Sequence, residues 1–266
     1  MPPRIAIPIP HSFDPEYAER AIPQYELAVT LAGGEPVRVG LELSPEQVAK
    51  IMQRCDGVLL PGSKADVDPA RFGAPRSPHT AVADLRRDTV DNLLLENAYK
   101  LRKPVLGICY GLQSLNVYRA GSLVQHIPDF LPEETRAKVN HEAGKNVAVA
   151  HEVEIDSASR LAEILSAEVR GPRSDVRNPL LVPVNSSHHQ SADESKIGNG
   201  LRVVARCPDD GIIEALEGTA PDHFVLAVQW HPERSVEADA ASRAIFRAFI
   251  DVAGERHREL GGAEIP

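Results

Sequence analysis

The stretch Lys103–Asn116, KPVLGICYGLQSLN, places a cysteine between a short apolar run and a segment with helical spacing. Val105–Ile108 has the length of a buried strand, and the residues that follow Cys109 continue as a helix. The sequence therefore predicts a strand, a sharp turn that holds Cys109, and a helix. Such units are typical of α/β proteins with a parallel sheet.

Strand and helix candidates alternate through the first half of the chain. They are the strand RIAIPIP, a helix over 14–32 with a local interruption at Pro23, the strand EPVRVGL, a helix opened by Ser44 and Pro45, the strand DGVLLPG, a loop over 66–78 and a helix over 84–101. This rhythm predicts an open, mostly parallel sheet with helices on both faces. We expect a single domain over residues 1–266, because no repeat or linker divides the chain.

The second half carries five strand candidates with few helices between them: VAVAHEVEI, LLVPVNS, LRVVARC, GIIEAL and FVLAVQW. Some of these strands are expected to extend the sheet in antiparallel fashion. The chain closes with an amphipathic helix over 235–254. Residues from about 255 to 266 are predicted to form a flexible tail.

Composition narrows the class of protein. The formal charge of −9, from 29 basic and 38 acidic residues, argues against nucleic acid or an anionic membrane as the partner. Three cysteines without close spacing give neither a disulfide framework nor a CxxC zinc pair, which favours a reducing cytoplasm. No apolar run reaches the roughly 18 residues that a membrane span requires. These features predict a soluble cytoplasmic protein.

Cys109 lies between Gly107 and Gly111 in a G-x-C-x-G pattern. This pattern is like the nucleophile elbow, in which small neighbours let the backbone close beneath an exposed nucleophile. The helix N-terminus offers free N–H groups and partial positive charge, which favour a thiolate. The amide of Tyr110 would point to where an acyl oxyanion develops. The alternative is a buried cysteine that acts as a small hydrophobe, which we prefer for the other two cysteines.

A base is available in FVLAVQWHPERS, where an apolar strand ends at His231 with Glu233 two positions later. Pro232 biases His231 toward extended geometry, in which residues i and i+2 face the same way. The Glu233 carboxylate can then hold one imidazole nitrogen while the other addresses the cysteine, as in a catalytic triad. The alternative is a strand-end histidine beside a surface glutamate.

A third polar concentration is PVNSSHHQSAD, residues 183–193. It predicts either a rim of hydrogen-bonding groups that hold a polar substrate or an ordinary polar loop. His188 and His189 are adjacent and therefore diverge on an extended chain, and no third ligand stands nearby in sequence. No metal site is predicted.

Together these motifs resemble the class I glutamine amidotransferase superfamily, in its gamma-glutamyl hydrolase-like branch. LGICYGLQSLN and AVQWHPE are similar to motifs of the superfamily, whereas LPGSKADVDPARFG, the Arg-Asp helix LRRDTVDNLLLENAYK and VNSSHHQ are similar to motifs of the branch. The resemblance covers roughly residues 5–253. It implies a flavodoxin-like sheet of the class I glutamine amidotransferase type.

The resemblance also implies an activity and a set of roles. The implied reaction is hydrolysis of a gamma-glutamyl amide, such as gamma-glutamyl-GABA or a related amine, through a glutamyl thioester and without metal or cofactor. The implied roles are Cys109 as nucleophile, His231 as base, Glu233 as its orienter, the amides of Gly62 and Tyr110 as oxyanion hole, and Gln113, Ser187, His188 and Gln190 as contacts of the glutamyl group.

Some positions depart from the branch pattern. Tyr110 stands where many branch members have Arg, and GICYG resembles the glutaminase domains of GMP synthetases. Ala120, Asp91 and His126 also differ from the residues that are common in the branch. Two other interpretations therefore stay open: a glutaminase subunit that delivers ammonia to a partner synthase, and a non-catalytic ligand-binding protein. A homodimer is compatible with the sequence, although no stretch indicates an interface.

Overall fold

The computed structural model describes residues 1–169 and 180–261 of the 266-residue chain. The strands are β1 (Arg4–Pro8), β2 (Glu35–Val39), β3 (Gly57–Leu60), β4 (Val105–Ile108), β5 (Leu123–Val124), β6 (His151–Ile155), β7 (Leu180–Val184), β8 (Ser191–Ala192), β9 (Leu201–Arg206), β10 (Ile213–Gly218) and β11 (Val225–Val228). The helices are α1 (Pro15–Leu31), α2 (Pro45–Gln53), α3 (Leu85–Lys100), α4 (Tyr110–Tyr118), α5 (Ile127–Phe130), α6 (Glu133–Arg136), α7 (Arg160–Val169) and α8 (Ala240–Gly261). Short 3₁₀ turns lie at Pro69–Phe72, Glu194–Lys196 and Pro232–Arg234.

Within the described residues the main sheet has nine strands in the order β2-β1-β3-β4-β11-β10-β9-β6-β7. The first five strands in this order (β2, β1, β3, β4 and β11) are parallel. The remaining four extend the sheet in antiparallel fashion. The predicted α/β fold, with a parallel sheet and antiparallel strands added from the second half, is confirmed. FVLAVQW, however, pairs in parallel with β4 and so lies in the centre of the sheet rather than in the extension.

The core lies on both faces of this sheet, because successive side chains of a strand point to opposite sides. In β1, Ile5 and Ile7 join an apolar cluster with helices α1, α7 and α8, while Ala6 joins a second cluster with α2, α3 and α4. Helices therefore cover both faces, as predicted. The layers bury the central strands and leave their carboxyl ends at the edge where ligands of such sheets bind.

A local signal explains where α2 begins. Ser44 is the N-cap of this helix, as predicted, and in the structure it also forms a capping box with Gln47. Helix α1 continues through Pro23, so the predicted interruption does not end it. Helix α7 lies where few helices were expected, and the small antiparallel pair β5–β8 was not predicted.

Helix α8 extends to Gly261, farther than the predicted helix over 235–254. Residues 262–266 of the expected flexible tail lie outside the described residues, so that expectation stays a prediction. None of the helices in the described ranges combines the length and the apolar character needed to cross a bilayer.

Candidate active site

The turn between β4 and α4 is a strained elbow. Cys109 has φ 53° and ψ −105°, a conformation that is costly for a residue with a side chain. A Cβ built on Gly107 would lie 2.9 Å from the carbonyl carbon of Gly111, and one built on Gly111 would lie 2.2 Å from the carbonyl oxygen of Leu60. Both glycines are therefore required for the backbone to close beneath Cys109. The elbow predicted from G-x-C-x-G is present.

His231 and Glu233 form the expected pair at the end of β11. Nδ1 of His231 lies 2.8 Å from Oε1 of Glu233, and the two residues are only 3% and 4% exposed. Within the described part of the chain, Nε2 of His231 has no hydrogen-bond partner. The ring is thus oriented by a carboxylate on one nitrogen and leaves the other available.

Asn185 forms hydrogen bonds with the backbone of His231. We predicted no individual role for this residue from the sequence. Its Nδ2 donates to the carbonyl oxygen of His231 at 2.9 Å, and its Oδ1 accepts from the amide of His231 at 3.0 Å. The VNSSHHQ motif contains this asparagine, but only the fold places it beside the end of β11. These two hydrogen bonds fix the backbone from which the His231 imidazole projects.

The cysteine and histidine segments meet at the carboxyl ends of β3, β4 and β11. The amide of Cys109 donates to the carbonyl oxygen of Val228 at 2.8 Å, which joins the ends of β4 and β11. A Cβ built on Gly62, after β3, would lie 3.1 Å from Cε1 of His231 and 3.7 Å from Cβ of Cys109. Both side chains therefore border one small space beside Gly62.

Electrostatics within this space favour a charged imidazole. Burial lowers the pKa of His231, but the Glu233 carboxylate and the Cys109 side chain outweigh it and raise that pKa to about 9. Burial raises the pKa of Glu233, but the imidazole more than compensates and the pKa of Glu233 lies below its usual value. The pair is therefore an imidazolium beside a carboxylate at neutral pH. Such a ring can stabilise a thiolate and can later donate a proton.

The two expected oxyanion donors differ in their surroundings. The amide of Gly62 donates to the hydroxyl of Tyr25 at 3.0 Å, so an oxyanion would have to replace this hydroxyl. Tyr110 is the first residue of α4, where helix amides lack intrahelical partners. The oxyanion hole stays a prediction. The Gly62 amide could serve in it only after its hydrogen bond to Tyr25 is broken.

A buried arginine of α3, Arg87, supports the loop that precedes Gly62. Arg87 donates to the carbonyl oxygen of Pro61 at 2.7 Å and to Asp91 at 2.6 Å. Its guanidinium also lies 5.0 Å from the ring centre of Tyr110, whose hydroxyl donates to Asp88 at 2.7 Å. Helix α3, which carries the Arg-Asp motif, therefore supports both the loop before Gly62 and the residue after Cys109.

The predicted substrate contacts are largely engaged with the protein itself. Nε2 of Gln113 donates to the carbonyl oxygen of Gln190 at 3.2 Å. Nε2 of Gln190 donates to the carbonyl oxygen of Gln125 at 3.1 Å, and Ser187 accepts from Arg234 at 2.8 Å. Their contact with substrate stays a prediction.

His188 lies in a different setting from the one we expected. It is buried, and its Nε2 lies 3.5 Å from Oε1 of Glu214 rather than on a rim. The physical reason is the divergence of adjacent residues on an extended chain: His189 turns toward Asp66, and His188 turns into the interior. No third ligand stands near His188 and His189 in the sequence, but in the folded chain His141 and His151 lie beside His188.

Solved structures with this architecture identify the fold. A candidate GMP synthase protein of Thermoplasma acidophilum superposes with a TM-score of 0.60 at 16% identity, with 98% of each chain covered. The glutaminase domain of CTPS from Trypanosoma brucei, solved with bound acivicin, gives a TM-score of 0.59 at 19% identity, with 95% of this chain and 94% of that chain covered. The fold is that of the class I glutamine amidotransferases.

Sequence comparison identifies the family within this class. The chain belongs to the Peptidase C26 family, whose model matches residues 10–233. A Mycobacterium tuberculosis protein named as a candidate glutamine amidotransferase is 38% identical over 232 residues, covering 86% of this chain and 66% of its own length. The gamma-glutamyl-gamma-aminobutyrate hydrolase PuuD of Escherichia coli K12 is 33% identical over 232 residues, covering 85% of this chain and 84% of its own length.

Proposed function

We propose that the protein is a cysteine-dependent hydrolase of gamma-glutamyl amides, with Cys109, His231 and Glu233 as its catalytic triad. The observation that carries the proposal is the meeting of the strained Cys109 elbow and the buried His231–Glu233 pair beside Gly62. Membership of the Peptidase C26 family supports a hydrolase. The relatedness to the Escherichia coli hydrolase supports gamma-glutamyl-GABA or a related gamma-glutamylated amine as the substrate.

The proposed mechanism has two half-reactions. The Cys109 thiolate attacks the δ-carbonyl carbon, and the carbonyl π electrons move to oxygen to give a tetrahedral oxyanion. The oxyanion collapses as the C–N bond breaks, and the imidazolium of His231 donates its proton to the departing amine. This leaves a glutamyl thioester. Neutral His231 then takes a proton from water, whose oxygen attacks the thioester carbonyl and releases glutamate and the Cys109 thiolate.

A substrate screen tests this assignment. Purified protein is incubated with gamma-glutamyl-GABA, other gamma-glutamyl amides and free glutamine, and glutamate release is followed. We expect at least one gamma-glutamyl amide to be hydrolysed with a kcat/KM at least about tenfold above that of glutamine, a difference of about 1.4 kcal/mol. The α-linked glutamyl-GABA isomer is the matched control and should not react. Hydrolysis of none of these amides would contradict the proposal.

A second candidate function is a glutaminase subunit that delivers ammonia to a partner synthase. Tyr110 favours it, because the GICYG sequence resembles glutaminase domains of GMP synthetases. The solved structures with this fold include the glutaminase domain of CTPS. It would use the same triad and the same thioester, but the leaving group would be ammonia that passes to the partner synthase, instead of an amine released to solvent. Glutamine as the preferred substrate, hydrolysed only after a partner protein is added, would decide for this function.

The pH profile tests the role of Glu233. Because His231 must be protonated to release the amine, kcat/KM should fall as the pH rises through about 9, the raised pKa of His231. In Glu233→Gln the carboxylate charge is lost while the burial that lowers this pKa remains. We therefore expect the alkaline limb to move to lower pH by about 1–3 units.

The matched control for this profile is Glu237→Gln, which removes the same charge from an exposed glutamate nearby. Its alkaline limb should coincide with that of the wild-type protein. An unchanged alkaline limb in Glu233→Gln would show that Glu233 does not set the protonation of His231.

A further inference from the structure

A buried cluster of three histidines and one glutamate lies outside the proposed triad. Its members are His141, in the loop before β6, His151, the first residue of β6, His188, between β7 and β8, and Glu214 on β10. They are between 0% and 7% exposed. Four segments that are distant in sequence therefore bring metal-ligating side chains to one point in the interior.

The cluster has the dimensions of a four-coordinate ion site. Oε1 of Glu214 lies 3.3 Å from Nδ1 of His141 and 3.5 Å from Nε2 of both His151 and His188. A tetrahedron with zinc–ligand bonds of about 2.0–2.1 Å has edges of about 3.3–3.4 Å. All four ligand atoms lie within 4.8 Å of one another, so the nitrogens need to approach each other modestly to complete the tetrahedron.

The nitrogen of each histidine that faces away from the cluster is fixed by an oxygen. Nε2 of His141 pairs with Asp210 at 2.8 Å, Nδ1 of His151 lies 2.9 Å from the carbonyl oxygen of Glu152, and Nδ1 of His188 lies 2.9 Å from that of Gln190. Metal-ligating histidines typically donate their other N–H to a carboxylate or carbonyl in this way. The partners orient all three rings toward Glu214.

The atoms that face the centre of the cluster do not form hydrogen bonds with one another within the described residues. A carbonyl oxygen cannot donate, so His151 and His188 each carry a proton on Nδ1, and the Nε2 atoms of both rings face the Glu214 carboxylate. Within the described residues, these nitrogens, Nδ1 of His141 and both Glu214 oxygens lack hydrogen-bond partners. Buried polar groups in such a state are costly, whereas one cation satisfies them together.

We infer that His141, His151, His188 and Glu214 bind one Zn²⁺ ion. Three imidazoles and a carboxylate form a ligand set that suits this ion, and four protein ligands make a closed, structural type of site. The two positive charges of the ion would be balanced by Glu214 and by Asp210, which contacts His141. This inference is independent of the reaction proposed for Cys109.

The rival explanation is a network held by protons. A proton on the inward nitrogen of any one ring would let that ring donate to a Glu214 oxygen. The other two inward nitrogens would remain without a hydrogen bond, whereas one cation would contact all four ligand atoms. This difference is the reason for preferring the metal.

The ion would also fasten the segment that borders the proposed active site. The carbonyl oxygen of Gln190 accepts from both His188 and Gln113, which lies on α4 one turn after Cys109. Asn185 in the same segment holds the backbone of His231. Zinc at His188 would therefore hold residues 185–190 against two parts of the proposed site: helix α4, which follows Cys109, and the backbone of His231.

The test measures bound metal in the full-length protein. Protein is stripped with a chelator, loaded with Zn²⁺, desalted and analysed by elemental mass spectrometry. We expect about one ion per chain in the wild-type protein. Glu214→Gln, which preserves side-chain volume, should retain less than about a tenth of this amount, and Asp210→Asn should bind Zn²⁺ about 10–100-fold more weakly.

Two further measurements distinguish loss of the metal site from misfolding of a variant. The wild-type protein loaded with Co²⁺ should show the visible ligand-field spectrum of a tetrahedral ion, and added Zn²⁺ should abolish it. His79→Ala is the matched control, because His79 belongs to an exposed group with His126 and Asp129 that could bind ions at the surface. It should retain the full amount of metal.

Two outcomes would overturn the inference. One is wild-type protein that retains no Zn²⁺ after desalting and has the same thermal unfolding midpoint with Zn²⁺ as with chelator, which would support the proton network. The other is metal that disappears in His79→Ala but persists in Glu214→Gln, which would place the ion on the surface.

Discussion

Replacement of Cys109 by alanine is expected to reduce gamma-glutamyl amide hydrolysis by roughly 10⁴-fold or more, to the level left by binding alone. The reason is that no other group in the described site can form the thioester, while the His231–Glu233 pair would remain with nothing to activate except water. Alanine also fits the space and carries the same backbone strain at φ 53°. The measurement is glutamate release under single-turnover conditions, with circular dichroism to confirm folding.

Cys55→Ala is the matched control for this loss. Cys55 is also buried, but it packs in an apolar cluster, where burial raises the pKa of its thiol to about 11. Its removal should cost some stability and leave kcat within about twofold, because the group does not touch the reacting atoms. Hydrolysis by Cys109→Ala at more than about a hundredth of the wild-type rate would exclude Cys109 as the nucleophile.

Gly111→Ala is expected to have the largest effect on folding. The new Cβ would lie 2.2 Å from the carbonyl oxygen of Leu60 and 2.8 Å from its Cβ, so β3 and α4 would have to separate. Overpacking of this kind against backbone should lower the free energy of unfolding by about 3 kcal/mol or more. The measurement is chemical denaturation, or the yield of soluble protein if the variant does not fold.

Gly254→Ala provides a control with the opposite sign. Gly254 lies within α8, and a Cβ built at this position would have Cγ of Pro3 as its nearest neighbour, at an ordinary contact distance of 3.8 Å. Alanine in a helix interior is more favourable than glycine by about 0.5–1 kcal/mol. A Gly111→Ala variant as stable as the wild-type protein would contradict the packing described for the elbow.

Much of this fold could be predicted because its signals are local. The buried strands Gly57–Leu60 and Val105–Ile108, the Ser44 N-cap of α2 and the turn between the glycines around Cys109 can each be predicted from a few neighbouring residues. The order of the sheet could not be read in the same way. The strand before His231 pairs with β4, and its place in the centre depends on contacts between segments far apart in the chain.

The candidate site shows the same division. The pairing of His231 with Glu233 follows from i, i+2 geometry, so the sequence predicts it. The hydrogen bond between the Gly62 amide and Tyr25 depends on how α1 packs on the sheet, and no local pattern encodes it. The role of Asn185 was likewise hidden, because its partner lies 46 positions away.

The histidine cluster is the clearest case of information that sequence spacing does not contain. Zinc motifs are recognised when ligands stand a few residues apart. Here His141, His151, His188 and Glu214 are spread over four segments, and His188 lies next to a histidine that faces elsewhere. Only the folded chain shows that their inward-facing ligand atoms converge.

The most direct test of the proposed chemistry is to trap the acyl-enzyme. Wild-type protein mixed with an excess of gamma-glutamyl-GABA, or of the preferred amide from the screen, is quenched in acid within the first turnover and digested for mass spectrometry. We predict one added glutamyl group on the peptide that contains Cys109, which disappears on treatment with hydroxylamine. Rapid hydrolysis with no adduct on Cys109, or an adduct on another residue, would contradict the proposed mechanism.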